Sequence, residues 1–266
     1  MGVVTLRVFS FGGGVQSTAA LVLAATGRID FPLFLFSNVG EDSENPDTLT
    51  YVTEVAAPYA AANGIELVEL RRRRRDGSAE TLLGQIDRQT SSTIIPVRMT
   101  NGAPGTRSCT RSFKVEVIAK ETRRRGATVE DPAIVALGIS VDEWQRANTN
   151  HRVKHQRVEY PLLDLGISRA DCAGIIAGAG LPMPPRSACW FCPFHKLGYW
   201  VQLRQARPDL FARSVELEAT LQSRRVGKAG VFLTRYGRTL DVITPDQPGL
   251  GLVDDDDACE SGYCMV

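Results

Sequence analysis

Short apolar runs alternate with helix-forming stretches over the first ninety residues, and this alternation restricts the fold more than any other feature of the sequence. Three runs have the length and composition of buried strands, namely residues 6–11, 31–36 and 65–70. Parallel strands need a crossover between them, usually a helix, and such helices cover both faces of the sheet. We therefore expect an α/β fold, with a doubly wound parallel sheet of the Rossmann-like kind.

Polar residues mark three expected helix starts. Asn45 followed by Pro46 is typical of an N-cap and a first helical position. Ser78 is expected to cap a helix that reaches residue 88, and Ser168 with Asp171 three residues later resembles a capping box. These signals place helices after the second and third strands and in the C-terminal half of the chain.

The chain is expected to divide once. A loop over residues 90–112, a helix over 115–125 and a strand over 133–138 continue the α/β pattern. We expect residues 1–196 to form a nucleotide-binding α/β domain that also carries a cysteine centre. Residues 197–266 are expected to form a helical extension and a C-terminal tail.

The composition excludes several classes of protein. The 266 residues include 31 basic and 30 acidic side chains, for a formal net charge of +1, and 43% are hydrophobic. Such a chain is neither disordered nor strongly basic, and it lacks the roughly 18 consecutive apolar residues of a membrane span. Its first residues lack the basic and then apolar order of a secretory signal, so a cytoplasmic protein without a membrane partner is expected.

Six cysteines occur in this chain, and a disulfide framework is not expected without an export signal. Cys189 and Cys192 form a C-x-x-C, Cys109 lies far upstream, and Cys259 and Cys264 lie close to the C-terminus. Two thiolates at this spacing can share one centre if a distant segment supplies further ligands. The pattern indicates metal or redox chemistry.

A glycine-rich turn follows the first strand. Its sequence from Ser10 to Ser17 is Ser-Phe-Gly-Gly-Gly-Val-Gln-Ser, and a helix is expected directly after it. Consecutive glycines let backbone N–H groups approach a phosphate, and the helix N-terminus adds a positive dipole end. Phosphate binding is the functional interpretation, whereas a tight packing turn is the structural alternative.

This turn resembles the S-G-G-x-D-S pyrophosphate loop of the PP-loop ATP pyrophosphatases. The rest of the chain resembles the phosphoadenosine-phosphosulfate (PAPS) reductase-like branch of that superfamily, over about residues 7–196. The further matches are residues 38–48 for the D-T-G-x-x-x-x-P-E-T motif, Arg107-Ser108-Cys109 with Lys114 for the middle motif, residues 138–146 for the G-x-R-x-x-E-x-x-x-R segment with Glu143 and Arg146, residues 161–164 for the Pro-Leu-hydrophobic-Asp run, and Cys189 and Cys192 for the closing C-x-x-C.

The resemblance implies a PP-loop type of fold that binds ATP, with Mg²⁺ expected beside the phosphates. The residues implied to contact the nucleotide are Ser10, Phe11, Gly12, Gly13, Gly14, Gln16 and Ser17, with Asn38 and Gly40 bordering the adenosine. Those implied to act in catalysis are Ser17, Arg107, Lys114 and Arg146, the three cations by neutralising the pyrophosphate leaving group, and Cys264. Gln16 and Asn38 stand where the family has aspartates, so two negative charges are missing.

The resemblance also implies a [4Fe-4S] cluster on Cys109, Cys189 and Cys192. The fourth ligand is open between Cys264, Cys259, His195 and an exchangeable ligand. A structural zinc on the same three cysteines is the alternative.

The leading functional hypothesis is an ATP-dependent sulfur-transfer enzyme, which adenylates an acceptor and inserts sulfur with help from the cluster. The acceptor is a nucleic acid or a small molecule, and the arginine runs 71–75 and 123–125 favour nucleic acid. The expected sulfur donor is a cysteine desulfurase or sulfide, and a homo-oligomer is possible. The alternatives are a PAPS or adenosine phosphosulfate reductase with Cys264 or Cys259 as nucleophile, and a non-catalytic nucleotide-binding subunit of a modification or defence complex.

Overall fold

The computed structural model describes residues 5–90, 93–147, 153–225 and 229–244. Its contacts divide these residues into two compact units. The sheet unit comprises residues 5–81 and 110–188, and the helical unit comprises residues 82–109 and 189–244. The predicted domain boundary after residue 196 stays a prediction, since this grouping by contacts places residues 189–196 with the C-terminal helices.

The sheet unit is built on five parallel strands in the order β3-β2-β1-β5-β6. The predicted α/β class with a parallel sheet is therefore confirmed. In the helical unit, β4 and β7 pair antiparallel as a two-stranded ribbon. The strands are β1 (Arg7–Phe11), β2 (Leu33–Asn38), β3 (Glu66–Arg71), β4 (Arg98–Met99), β5 (Ala133–Leu137), β6 (Gln156–Glu159) and β7 (Val231–Phe232).

Helices follow most of the strands. A π-helical turn over Val52–Ala56 joins α2 to α3, a second over Arg111–Val115 joins α5 to α6, and a 3-10 helix covers Val141–Arg146. The α-helices are α1 (Val15–Ala25), α2 (Pro46–Tyr51), α3 (Ala57–Ala62), α4 (Leu82–Arg88), α5 (Ser108–Thr110), α6 (Glu116–Arg124), α7 (Pro161–Asp164), α8 (Arg169–Gly178), α9 (Leu197–Ala206), α10 (Pro208–Ser223) and α11 (Leu240–Ile243). Within the described part of the chain, none of them is long and apolar enough to cross a membrane.

The sheet buries apolar side chains on both faces, because successive strand residues point to opposite sides. Phe9 and Phe34 stack with ring centroids 4.9 Å apart on the face that packs against α1 and α8. Val8 and Leu35 lie on the other face with Ile118 of α6. Helices on both faces are what a doubly wound sheet requires.

Two of the predicted helix caps are confirmed. The Asn45 side chain accepts a hydrogen bond from the Asp47 amide at 3.1 Å, at the start of α2. Ser168 and Asp171 form a reciprocal capping box at the start of α8. Each cap joins residues two or three positions apart, so it depends little on the tertiary structure.

The predicted cap at Ser78 is wrong. Its amide and its hydroxyl both donate to the Asp76 carboxylate, at 2.9 and 2.6 Å, in an Asx turn. The next helix, α4, begins four residues later at Leu82. Asp76 therefore binds Ser78 in the turn, and Ser78 does not cap the helix.

The helical unit contains the predicted helices α9 and α10. Glu218 of α10 is buried, and its two carboxylate oxygens accept the amides of Leu233 and Leu240 at 2.7 and 2.8 Å. Burial raises the pKa of Glu218, while these two hydrogen bonds oppose the rise. This carboxylate fastens the segment from 233 to 240 to α10.

Candidate nucleotide site at the carboxyl edge of the sheet

The strand order puts a topological switch point between β1 and β5. From β1, the chain proceeds to β2 and β3 on one side, whereas β5 and β6 lie on the other. In open α/β sheets, ligands bind outside the carboxyl ends of the strands at such a point. The two segments that leave the sheet here are the glycine turn, residues 12–14, and residues 138–146 after β5.

The glycine turn has a conformation that side chains would prevent. Gly13 has a φ of +76°, and a Cβ on it would lie 2.8 Å from Cγ2 of Thr48. Gly14 is the N-cap of α1, and the Ser187 hydroxyl donates to the carbonyl of Gly12. The turn therefore brings bare backbone to the start of a helix whose first amides have no acceptor within the helix.

Ser17 forms side-chain hydrogen bonds with the glycine turn itself. Its hydroxyl donates to the Gly14 carbonyl at 3.0 Å and accepts from the Gly14 amide at 3.1 Å, and the residue is buried. The ring of Phe11 packs in the core, and Ser10 lies within β1. Each residue could therefore contact an anion through its backbone more readily than through its side chain. The catalytic role predicted for Ser17 stays a prediction.

Gln16, Glu143 and Arg146 join the two segments at the switch point. Oε2 of Glu143 accepts from Nε2 of Gln16 at 2.8 Å and from Nη1 of Arg146 at 2.5 Å. The Arg146 side chain is only 6% exposed, and its Nε has no hydrogen-bond partner among the described residues. The Glu143 carboxylate thus lies beside the glycine turn, while position 16 itself carries an amide.

Asn38 closes the turn after β2. Its Oδ1 accepts the Gly40 amide at 2.8 Å, and its Nδ2 donates to Glu69 at 3.1 Å and to Glu41 at 3.4 Å. Arg71 pairs with both glutamates and lowers the pKa of Glu41. The amide at position 38 is required here because an aspartate could not donate to these two carboxylates.

Glu44 is a residue of this edge that the sequence analysis did not single out. It is 1% exposed, and its Oε1 accepts the Asn45 amide at 3.3 Å. Burial raises its pKa, and the charge of Lys114 opposes that rise. The burial of a glutamate directly before an N-cap cannot be predicted from the local sequence.

Arg107 belongs to the helical unit. Its guanidinium lies over the Phe194 ring, 5.3 Å from the centroid, and Arg98 approaches the same ring at 4.9 Å. Its predicted contact with the leaving group stays a prediction.

The three cysteines predicted as ligands also lie in the helical unit, and all three are half-buried. A turn brings Cys189 and Cys192 together, with the Cys192 amide donating to the Cys189 carbonyl at 3.0 Å. Nε2 of His195 lies 2.8 Å from that same carbonyl, and its ring stacks on Tyr199. The amide of Cys109 donates to the Ile94 carbonyl.

Cys109, Cys189 and Cys192 are the predicted ligands of a [4Fe-4S] cluster or a zinc ion. Over the described ranges, no three histidine, cysteine or acidic side chains come together as a metal site. Cys264 and Cys259, two of the predicted fourth ligands, lie outside the described residues. The ligand set for a [4Fe-4S] cluster or a structural zinc therefore stays a prediction.

No protein-family model matches the chain. A search of curated proteins found no match either. Two solved structures are similar to it. One is a phosphoadenylyl-sulfate reductase from Candida auris in a phosphate complex, with 14% identity, a TM-score of 0.45, and coverage of 68% of this chain and 76% of that one. The other is the U34-tRNA thiolase NcsA from Methanococcus maripaludis with its [4Fe-4S] cluster, with 15% identity, a TM-score of 0.44, and coverage of 81% and 72%.

At these identities and TM-scores, neither structure says anything of this chain's activity. Each activity and each bound group belongs to the protein in which it was found.

Proposed function

We propose that the chain is an ATP-dependent enzyme that adenylates an acceptor and then replaces an oxygen of that acceptor with sulfur. The observation that carries the proposal is the switch point. There, a glycine turn at the start of α1 lies beside the Gln16–Glu143–Arg146 chain of hydrogen bonds. Backbone amides and a buried guanidinium are groups that hold a nucleotide's phosphates. A carboxylate is a group that holds the Mg²⁺ bound with them.

The proposed first step is attack of an acceptor carbonyl oxygen on the α-phosphorus of ATP. The bond from that phosphorus to the pyrophosphate oxygen breaks, and pyrophosphate leaves with both electrons. Arg146 is buried at this place, and the charge of Lys114 acts on the buried Glu44 of the same unit. Positive charge fixed before the reaction stabilises the charge that grows on the leaving group.

In the second step, hydrosulfide attacks the adenylated carbon, the C–O bond breaks, and AMP leaves. The thiocarbonyl product forms with release of one proton to solvent, and no oxidant or reductant is consumed. Magnesium supplies charge neutralisation when it is bound with the triphosphate. It is usually held by one or two carboxylates and by the phosphates, and Glu143 offers a carboxylate beside the glycine turn.

The test replaces Arg146 by glutamine. We expect the Kd for a fluorescent ATP analogue to rise about tenfold to a hundredfold, because one charge-assisted contact contributes about 1.5–3 kcal/mol. The matched control is Arg111→Gln in the same unit, whose guanidinium is 69% exposed and pairs with Glu116. A circular-dichroism spectrum and a melting curve show that each variant is folded.

An unchanged Kd in folded Arg146→Gln would place the phosphates elsewhere. Pyrophosphate release from ATP, with a thiocarbonyl acceptor product and sulfide consumption, tests the chemistry. Release of sulfite from PAPS or adenosine phosphosulfate would instead show a reductase. Binding of ATP without pyrophosphate release in the presence of acceptors would indicate a nucleotide-binding subunit.

A further inference from the structure

An exposed arginine hairpin extends from the carboxyl end of β3. We define it as residues 71–80, with five consecutive arginines, 71–75, on its first strand. The Arg74 amide donates to the Ser78 carbonyl and the Glu80 amide to the Arg72 carbonyl, each at 2.9 Å. These bonds and the Asx turn at Asp76 hold the hairpin in one shape before any partner arrives.

The five arginines are not equivalent. Arg72 and Arg74 face Glu80, with N–O distances of 2.9 and 3.7 Å, and Arg71 pairs with glutamates of the sheet edge. Arg73 and Arg75 are exposed, and neither has an ion-pair partner within the part of the chain that the structure describes. Arg73 is instead held by a hydrogen bond to the Gly77 carbonyl at 2.9 Å. The tip of the hairpin thus presents two uncompensated guanidinium groups.

Both ends of the arginine hairpin are fixed beside the candidate nucleotide site. Arg71 is the register partner of Asn38 in the neighbouring strand. At the other end, the Thr81 hydroxyl donates to Asp42 at 2.9 Å, and a Cβ on Gly40 would lie 2.6 Å from the Cβ of Thr81. A chain of phosphates on the hairpin would therefore run past the turn that is predicted to border the adenosine.

We propose that the arginine hairpin binds the phosphate backbone of a nucleic acid, which makes a nucleic acid the acceptor of the proposed reaction. One guanidinium group can donate two hydrogen bonds to the oxygens of a single phosphate, and every basic residue of the hairpin is an arginine. Stable membrane binding takes a second signal beside a basic patch, such as a lipid chain or apolar side chains, and the hairpin has no apolar side chain larger than Ala79. The role as acceptor rests on the proposed function, whereas binding itself does not.

The test compares two double variants of the full chain. Arg73→Gln with Arg75→Gln removes the two uncompensated charges. The control, Arg28→Gln with Arg111→Gln, removes two charges from exposed side chains elsewhere on the sheet unit. Anisotropy of a labelled 30-nucleotide DNA strand, its duplex and the same sequence as RNA is measured at several potassium chloride concentrations. Vesicles of anionic phospholipid are titrated in parallel.

We expect the hairpin variant to raise the Kd for at least one nucleic acid about tenfold and to lower the slope of log Kd against log salt by roughly 1.4–1.8. The control should change neither quantity. Equal behaviour of the two variants would overturn the proposal, and so would a loss confined to vesicles. ATP binding by the hairpin variant should match that of the unmodified chain. Failure of ATP binding in the unmodified chain, with nucleic-acid binding intact, would refute the proposed function alone.

Discussion

At the scale of single residues, two amide side chains at the site each donate to a carboxylate. Nε2 of Gln16 donates to Glu143, which lies in the segment after β5. Asn38 is 2% exposed and donates to Glu69 and Glu41. In both places an amide stands where it can bind an acid, and a second acid would face repulsion.

Replacing Asn38 by aspartate tests this explanation. We expect a loss of about 1–3 kcal/mol in the free energy of unfolding at pH 7, because two donor contacts become contacts between carboxylates. The neighbouring acids would raise the pKa of the new side chain. Its destabilising effect should therefore be full above that pKa and diminish as the pH falls through it.

Urea unfolding at pH 7 and near pH 4 measures both effects. The control is Asn63→Asp, since Asn63 is exposed and donates only to the Tyr59 carbonyl at 2.8 Å. An Asn38→Asp variant as stable as the unmodified chain at pH 7 would show that Asn38 is not needed as a donor.

The sequence could flag Gln16 and Asn38 as departures from a motif, but it could not supply their partners. Glu143 lies 127 positions from Gln16 and Glu69 lies 31 positions from Asn38. Such pairs form only when parallel strands bring distant segments to one edge of the sheet. Glu44 was missed for the same reason, since its burial depends on the packing around the loop and not on its neighbours in sequence.

At the scale of secondary structure elements, two serines with similar surroundings behave differently. Ser168 has an acid three residues later and caps α8, whereas Ser78 has Thr81 at that position and an aspartate two residues before it. Without the reciprocal acid, Ser78 turns to Asp76. The cap at Ser168 therefore forms where both halves of the capping box are present, and the one at Ser78 fails where the acid three residues on is absent.

Ser168→Ala should cost about 1 kcal/mol in the free energy of unfolding, and Ser78→Ala should cost much less. The Ser168 hydroxyl is the main cause of the lowered pKa of Asp171. A carboxylate whose pKa is lowered by folding stabilises the fold above its unfolded pKa and loses that contribution as the pH falls. The difference between the unmodified chain and Ser168→Ala should therefore narrow below about pH 4.

Denaturant titrations of both variants at pH 7 and near pH 3.5 provide the measurement. Equal costs for the two serines at pH 7 would mean that the capping box contributes nothing measurable to α8. A gap that widens in acid would contradict the stated direction of the Asp171 pKa.

At the scale of the whole molecule, the parallel sheet was predictable and the helical unit was not. Each central strand is apolar along its length and is followed by its own helix, so the order of elements implies the architecture. The edge strand β6 has the sequence Gln-Arg-Val-Glu and gives no apolar signal. The helical unit joins residues 82–109 to residues 189–244, and no local pattern reveals a pairing over that separation.

A chain that ends at residue 196 would test the predicted domain boundary against this grouping. We expect it to lack a folded helical unit, because α9 and α10 supply seven of the unit's buried apolar side chains, which are Leu197, Trp200, Leu203, Leu210, Phe211, Leu217 and Leu221. The truncation also removes Arg224, which donates to the Ile86 carbonyl at 2.7 Å, and Arg213, which lies over the Trp190 ring. Without these partners, residues 82–109 and 189–196 would expose Trp190, Phe191 and Ile86 to water.

Tryptophan fluorescence and limited proteolysis distinguish the two outcomes. Red-shifted emission from Trp190 and rapid cleavage within residues 82–109 are expected for the truncated chain, with the full chain as reference. A cooperative melting transition with protected 82–109 and a blue-shifted Trp190 would instead show that residues 1–196 fold as the domain the sequence predicts. The difference arises because burial of the C-x-x-C segment depends on helices that follow it in the chain.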